Sequence, residues 1–199
     1  MEANDFTVLL VPGLRDETPG HWQSLLAKGR PNVRALPALG RRNIDLHARI
    51  GAIEDAVRSI AGPVVVVAHS GGSIATVHWA LQTPSMIQGM LLATPPAFSR
   101  PLSSEYPDMS AFEKAGWLPL PRAALPFRCL VAASRNDPLG DFDEIAQLAR
   151  CWGAELVDLG VVGHLNPASG YGEWPEAIPL IARLASASVA QQACQTHGA

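Results

Sequence analysis

Cysteine is scarce and unpaired. The three in the chain, Cys129, Cys151 and Cys194, are odd in number and lack the spacing of metal ligands, which excludes a disulfide framework and a zinc site and fits a reducing compartment. An excess of charge is missing too: 15 basic and 18 acidic side chains leave a net charge of −3. The arginines are scattered, so nothing marks a nucleic-acid or anionic-membrane partner. No apolar run reaches the roughly 18 residues of a membrane span, and Met1-Glu2-Ala3-Asn4-Asp5 has no basic leader before its short apolar stretch. These absences lead to the expectation of a soluble cytoplasmic protein. There is no internal repeat, and no G-x-G-x-x-G turn with an acidic ribose contact, so a dinucleotide site is excluded. What remains is 199 residues, 48% hydrophobic and 17% charged, enough for one packed domain over residues 1–199 and inconsistent with disorder.

Strand and helix patterns alternate along the chain. Phe6 to Val11 reads as a strand ended by Pro12-Gly13-Leu14, and His21 to Lys28 as a helix. Val33 to Leu36 is a weaker strand, and Leu46 to Ile60 is an amphipathic helix with Leu46, Ile50, Ile53 and Val57 on one face. Val64 to Val67 starts a strand that turns into a helix at Ile74 to Leu81. Ile87 to Ala93, Arg128 to Ala133 and Glu155 to Leu159 read as strands, Phe142 to Trp152 and Pro175 to about Ala187 as helices. Alternation of this kind implies an α/β fold in which about six mainly parallel strands carry helices on both faces, with ligands at the carboxyl strand ends. Residues 94–125 break the alternation with Pro95, Pro96, Pro101, Pro107, Pro119 and Pro121. Two readings stand for this segment: a small cap or lid over those strand ends, or a surface loop with a short helix around Asp108 to Ala115.

The densest chemical signal is Val64-Val65-Val66-Val67-Ala68-His69-Ser70-Gly71-Gly72-Ser73. Four β-branched residues make a strand buried on both faces. Ala68 and Gly72 then flank Ser70 in the small-x-Ser-x-small pattern of a nucleophile elbow, with alanine in place of the usual first glycine. The competing reading is a serine that merely caps the helix.

A nucleophilic serine needs a base and a carboxylate that orients it. Asp137 and His164 each follow a carboxyl strand end, and the chain order Ser70, Asp137, His164 suits a hydrolase of this type. Among rivals, His69 adjoins Ser70 but points away from it, His78 lies along a helix, His47 starts one and His197 belongs to a tail. Asp141 and Asp143 fit helix capping, and Asp158 lies within a strand pattern. His21 is the serious competitor, either a pocket residue or a helix-start histidine packed on Trp22. The backbone amides of Leu14 and Gly71 are the candidate oxyanion donors, although Pro12-Gly13 also reads as an ordinary turn. His21, Trp22, His69 and Trp174 are the candidate substrate contacts.

Several segments together carry a wider similarity: Val11-Pro12-Gly13-Leu14, Pro19-Gly20-His21-Trp22-Gln23-Ser24, Val67-Ala68-His69-Ser70, Ser134-Arg135-Asn136-Asp137-Pro138, Trp152-Gly153-Ala154, and Gly163-His164-Leu165-Asn166 with Ser169-Gly170-Tyr171-Gly172-Glu173-Trp174-Pro175. In this order they resemble the retinoblastoma-binding-protein/YdeN family of small serine hydrolases. The resemblance implies a three-layer α/β-hydrolase fold, a Ser70-Asp137-His164 triad, and cofactor-free, metal-free cleavage of a small ester, amide or thioester through an acyl-enzyme. The chain departs from the family at Gly71, where leucine is frequent, which implies a smaller pocket wall. No Leu-x-Cys-x-Glu sequence is present, so the retinoblastoma-binding role gains no support. The alternative function is a binding or scaffolding protein that keeps the fold without the chemistry.

Overall fold

A computed structural model describes residues 6–15, 18–40 and 42–186. The readings at Met1–Asp5, Ala187, Cys194 and His197 lie outside the described residues. Six strands form one sheet: β1 (Thr7–Val11), β2 (Val33–Ala35), β3 (Val64–His69), β4 (Gly89–Ala93), β5 (Cys129–Ala133) and β6 (Glu155–Asp158), in the order β2-β1-β3-β4-β5-β6. Every pairing is parallel. The expected "mainly parallel" sheet is therefore parallel throughout, which is why its central strands are apolar on both sides.

Six α-helices complete the layers: α1 (Trp22–Ala27), α2 (Leu46–Ser59), α3 (Gly71–Ala80), α4 (Met109–Lys114), α5 (Phe142–Cys151) and α6 (Ala177–Ser186). Strand side chains alternate between two cores. Val64, Val66, Met90, Leu92 and Val131 meet Ile53, Val57, Ile74, Val77 and Leu148 on one face. Val65, Val67, Leu91 and Leu130 meet Trp22, Leu180, Ile181 and Leu184 on the other. Residues 94–125 lie against the first face. Phe98, Phe112 and Trp117 form a ring cluster there, and the Trp117 indole N–H donates to the Ile44 carbonyl at 2.8 Å. α4 falls inside the expected Asp108 to Ala115 helix, with the Asp108 side chain capping it. Tyr106 reaches the cavity described below.

The turn from β3 into α3 depends on contact between backbones. A β-carbon at Gly72 would collide with the Pro12 carbonyl oxygen and stand 2.8 Å from that of Val11. Gly72→Ala is therefore expected to push β1 away from the elbow and destabilise the fold by about 1–3 kcal/mol or more. Chemical denaturation measures the loss, and a variant as stable as the parent would show that the approach is not tight.

Candidate active site

Ser70 occupies the turn between β3 and α3 with φ 55 and ψ −131, a left-handed conformation that a serine holds only where its surroundings enforce it. Three contacts do so. The Ser70 amide donates to the Ala93 carbonyl at 2.9 Å, the Ser70 carbonyl accepts from the Ser73 amide at 2.9 Å, and Gly13 leaves just enough room, since a β-carbon there would be 3.0 Å from that of Ser70. The side chain makes no capping hydrogen bond to α3, which removes the capping reading. Ser70 Oγ instead lies 2.8 Å from His164 Nε2.

His164 is brought in from the loop after β6. Its Nδ1 lies 2.9 Å from both carboxylate oxygens of Asp137, which follows β5. A carboxylate on Nδ1 can only accept, so the proton sits on Nδ1 and Nε2 is left to accept from Ser70 Oγ. The two side chains are almost fully buried, at 7% exposed for His164 and 3% for Asp137, so water does not compete for this pair. Asp137 is itself fixed, because its Oδ1 also accepts from the Leu139 amide at 2.9 Å. The rival carboxylates are engaged elsewhere: Asp141 caps α5, Asp143 lies in its first turn, and Asp158 pairs with Arg135.

The loop carrying His164 is held by groups that the sequence reading did not single out. Asn136 Oδ1 accepts from the Gly163 amide at 2.7 Å, Ser134 Oγ accepts from the Val162 amide at 3.2 Å, and Ser169 Oγ accepts from the His164 amide at 3.0 Å. His69 closes the set. Its Nε2 lies 3.0 Å from the His164 carbonyl, and because a carbonyl only accepts, His69 donates there. It therefore holds the backbone of the base as well as lining the cavity. Gln23, part of a quoted motif but given no role, donates to the Val11 and Val67 carbonyls at 3.1 and 3.2 Å and ties α1 to the ends of β1 and β3.

Three imidazoles stand in a row, His21 4.6 Å from His69 and His69 5.0 Å from His164, centroid to centroid. Burial pushes His21 down to about 4, with His164 adding to the effect. Burial holds His69 well below the usual histidine range, with His164 and His21 adding. Both are neutral at neutral pH. His21 caps α1 by accepting from the Gln23 amide at Nδ1, 3.2 Å away, so its proton is on Nε2.

Gly71 follows Ser70 in the chain and the Leu14 side chain packs against Gly71; no backbone hydrogen bond from the amide of either is found among the described turns and loops. Gly71 is the first residue of α3, where the helix provides no acceptor for its N–H and its positive end favours an anion. The expectation of a thinner wall at Gly71 is corrected. A β-carbon at Gly71 would fall 2.7 Å from Leu14 Cγ, so the Leu14 side chain already fills the space that a larger residue would take. Two substrate contacts are also corrected. Trp22 and Trp174 are 1% and 7% exposed and pack edge-to-face at 5.0 Å in the core. Neither lines the cavity, because α1 turns its large apolar side chain toward the sheet. His21 and His69 do line it, beside Ser70 and His164.

The sequence matches the serine hydrolase family over residues 8–183. The chain belongs to the serine hydrolase family. This serine hydrolase is similar to a protein described as a YdeN-like hydrolase of Pectobacterium atrosepticum, at 30% identity over 91% of each chain with a TM-score of 0.77. It also shares its fold with the ydeN gene product of B. subtilis, at 20% identity over 90% of this chain and 98% of that one, TM-score 0.64. A further fold match is a monoacylglycerol lipase of Paleococcus ferrophilus, at 14% identity over 92% and 96%, TM-score 0.64. No curated protein matches the serine hydrolase. Among its described residues no group of histidine, cysteine or carboxylate side chains could hold a metal, and no helix is long and apolar enough to cross a membrane.

Proposed function

We propose that this serine hydrolase cleaves carboxylic esters through an acyl-enzyme formed on Ser70. The observation that carries the reading is the unbroken relay from Ser70 Oγ to His164 Nε2 at 2.8 Å and from His164 Nδ1 to Asp137 at 2.9 Å. In this scheme Ser70 Oγ attacks the ester carbonyl while its proton passes to His164 Nε2. Asp137 stabilises the resulting imidazolium without taking the proton. The carbonyl oxygen becomes an alkoxide held by the amides of Leu14 and Gly71. His164 then gives its proton to the departing alcohol as the carbon–oxygen bond breaks. Water, deprotonated by the same imidazole, attacks the acyl-enzyme, releases the acid and restores Ser70. Thioesters and activated amides follow the same route.

A fluorophosphonate probe tests the assignment. Covalent labelling located by peptide mapping at Ser70, accompanied by ester turnover, supports it. A folded protein that resists the probe and turns over no ester would mean that the fold serves binding instead.

The pH dependence identifies the base. Only the neutral imidazole accepts the serine proton, so kcat/KM for an ester rises with pH through one ionisation. His21, down at about 4, and His69, well below the usual range, are both already neutral at neutral pH. His164→Ala is expected to abolish activity together with the titration, while His21→Ala keeps the titration and changes mainly KM. A pH profile that flattens in His21→Ala and persists in His164→Ala would move the base to His21.

A further inference from the structure

The cavity begins at the reactive groups and extends toward the other half of the sheet edge. Ser70, Asp137 and His164 follow β3, β5 and β6. The cavity, of about 510 Å³, runs from Ser70 the other way, across the end of β1 to edge strand β2 and helix α1. On this side it is lined by Leu10, Ala27, Ala35, Leu36, Pro37 and Ala38, with the neutral polar side chains of Thr18, Gln23 and Ser24 beside them. With strands spaced about 4.8 Å apart, the path from β3 to β2 is roughly 10 Å long. The far end is open, since Ala35 and Pro37 are exposed at the sheet edge.

Among the described lining residues, charge is confined to the mouth. Arg15 is the one cationic side chain among the described lining residues, and it is engaged there, its Nε donating to the Tyr106 hydroxyl at 3.1 Å and its guanidinium 3.9 Å from Glu105. His21 and His69 are neutral. No described carboxylate lines the cavity. An ionic group driven past Ser70 toward β2 would lose its water and meet no opposite charge among the described lining residues.

On the side of His164, the proton donor for the departing alcohol, the cavity is bounded by Asn166, Pro167 and Ala168. The alcohol part of an ester therefore lies toward that loop, which leaves the β1–β2 side to the acyl part. We infer that the groove from Ser70 to the edge of β2 is an acyl subsite for an uncharged hydrocarbon chain, open at its far end so that chain length is not sharply limited. This rests on the reading of Ser70 as the acylated residue.

Nitrophenyl acetate, butanoate, octanoate and hydrogen succinate share one leaving group and separate the acyl contribution. The expected result is a kcat/KM that climbs at least about tenfold from acetate to octanoate, because each methylene buried in the groove adds to binding of the transition state, with succinate falling below butanoate. Ala35→Glu and, separately, Ala38→Glu place a carboxylate in the groove and are expected to cut the octanoate-to-acetate ratio several-fold; fluorophosphonate labelling of Ser70 in each variant reports that the site is assembled. If Ser70 is labelled but acetate is turned over as well as octanoate, or succinate is preferred, the groove inference is overturned and the role of Ser70 stands. The same holds if selectivity follows the alcohol and ignores the acyl group. If Ser70 resists the probe and no ester is cleaved, the catalytic reading falls and the subsite with it.

Discussion

Ser70→Ala is expected to lower ester turnover on the order of a million-fold, because the triad acts as a unit and loss of its nucleophile leaves only binding and oxyanion stabilisation. The fold should survive. The substitution keeps the β-carbon beside Gly13, keeps the hydrogen bond from its amide to the Ala93 carbonyl, and removes only the hydroxyl that meets His164. Alanine lacks nothing that the left-handed turn requires of the backbone. Initial rates on nitrophenyl esters, probe labelling and a urea midpoint measured on one preparation separate loss of chemistry from loss of structure. More than a few per cent of parental activity in a purified variant would place the nucleophile elsewhere.

Asp137→Asn is expected to lower turnover by roughly 10⁴-fold with little change in stability. The reason is local. Asp137 Oδ1 accepts from the Leu139 amide at 2.9 Å, so an asparagine at this position keeps its oxygen toward Leu139 and turns its NH₂ toward His164 Nδ1. The NH₂ replaces the Oδ2 acceptor 2.9 Å from Nδ1 and leaves Oδ1, already shared with Leu139, as the one oxygen there, which favours the imidazole tautomer with its proton on Nε2, unable to accept from Ser70. Asp141→Asn and Asp143→Asn are the comparison. Asn caps a helix about as well as Asp, and both positions lie at the start of α5, so these variants are expected to keep parental turnover. Equal losses at all three positions would remove the basis for choosing Asp137.

The sheet and the spatial cluster of Ser70, Asp137 and His164 were legible because both leave marks along the chain. The valine run of β3 is long and uninterrupted, and Ser70, Asp137 and His164 each stand just beyond a strand signal. Strand limits shifted by one or two residues where pairing, and not hydrophobicity, sets the boundary: β4 pairs with β3 from Gly89 rather than Ile87. The roles of Ser134, Asn136 and Ser169 left no such mark. Each bonds a backbone amide of residues 162–164, and which backbone comes within reach depends on how two loops meet in space. Trp22 and Trp174 misled for the opposite reason. They sit inside recognisable motifs beside pocket residues, but an aromatic next to a site in sequence serves it equally well from underneath, as their mutual packing does. The groove was hidden because its walls come from β1, β2 and α1, none of which carries a reactive group.

The hydrogen bond from His69 to the His164 carbonyl makes the spacing between nucleophile and base a property of strand β3. One residue fixes where the serine points and its predecessor grips the main chain of the partner, so both are measured from the same datum. The loop after β6 is then located from the centre of the sheet by His69 and from the β5 side by Ser134 and Asn136, so in engineering terms its position is set by fixtures at two inner strands and not by edge strand β6 alone.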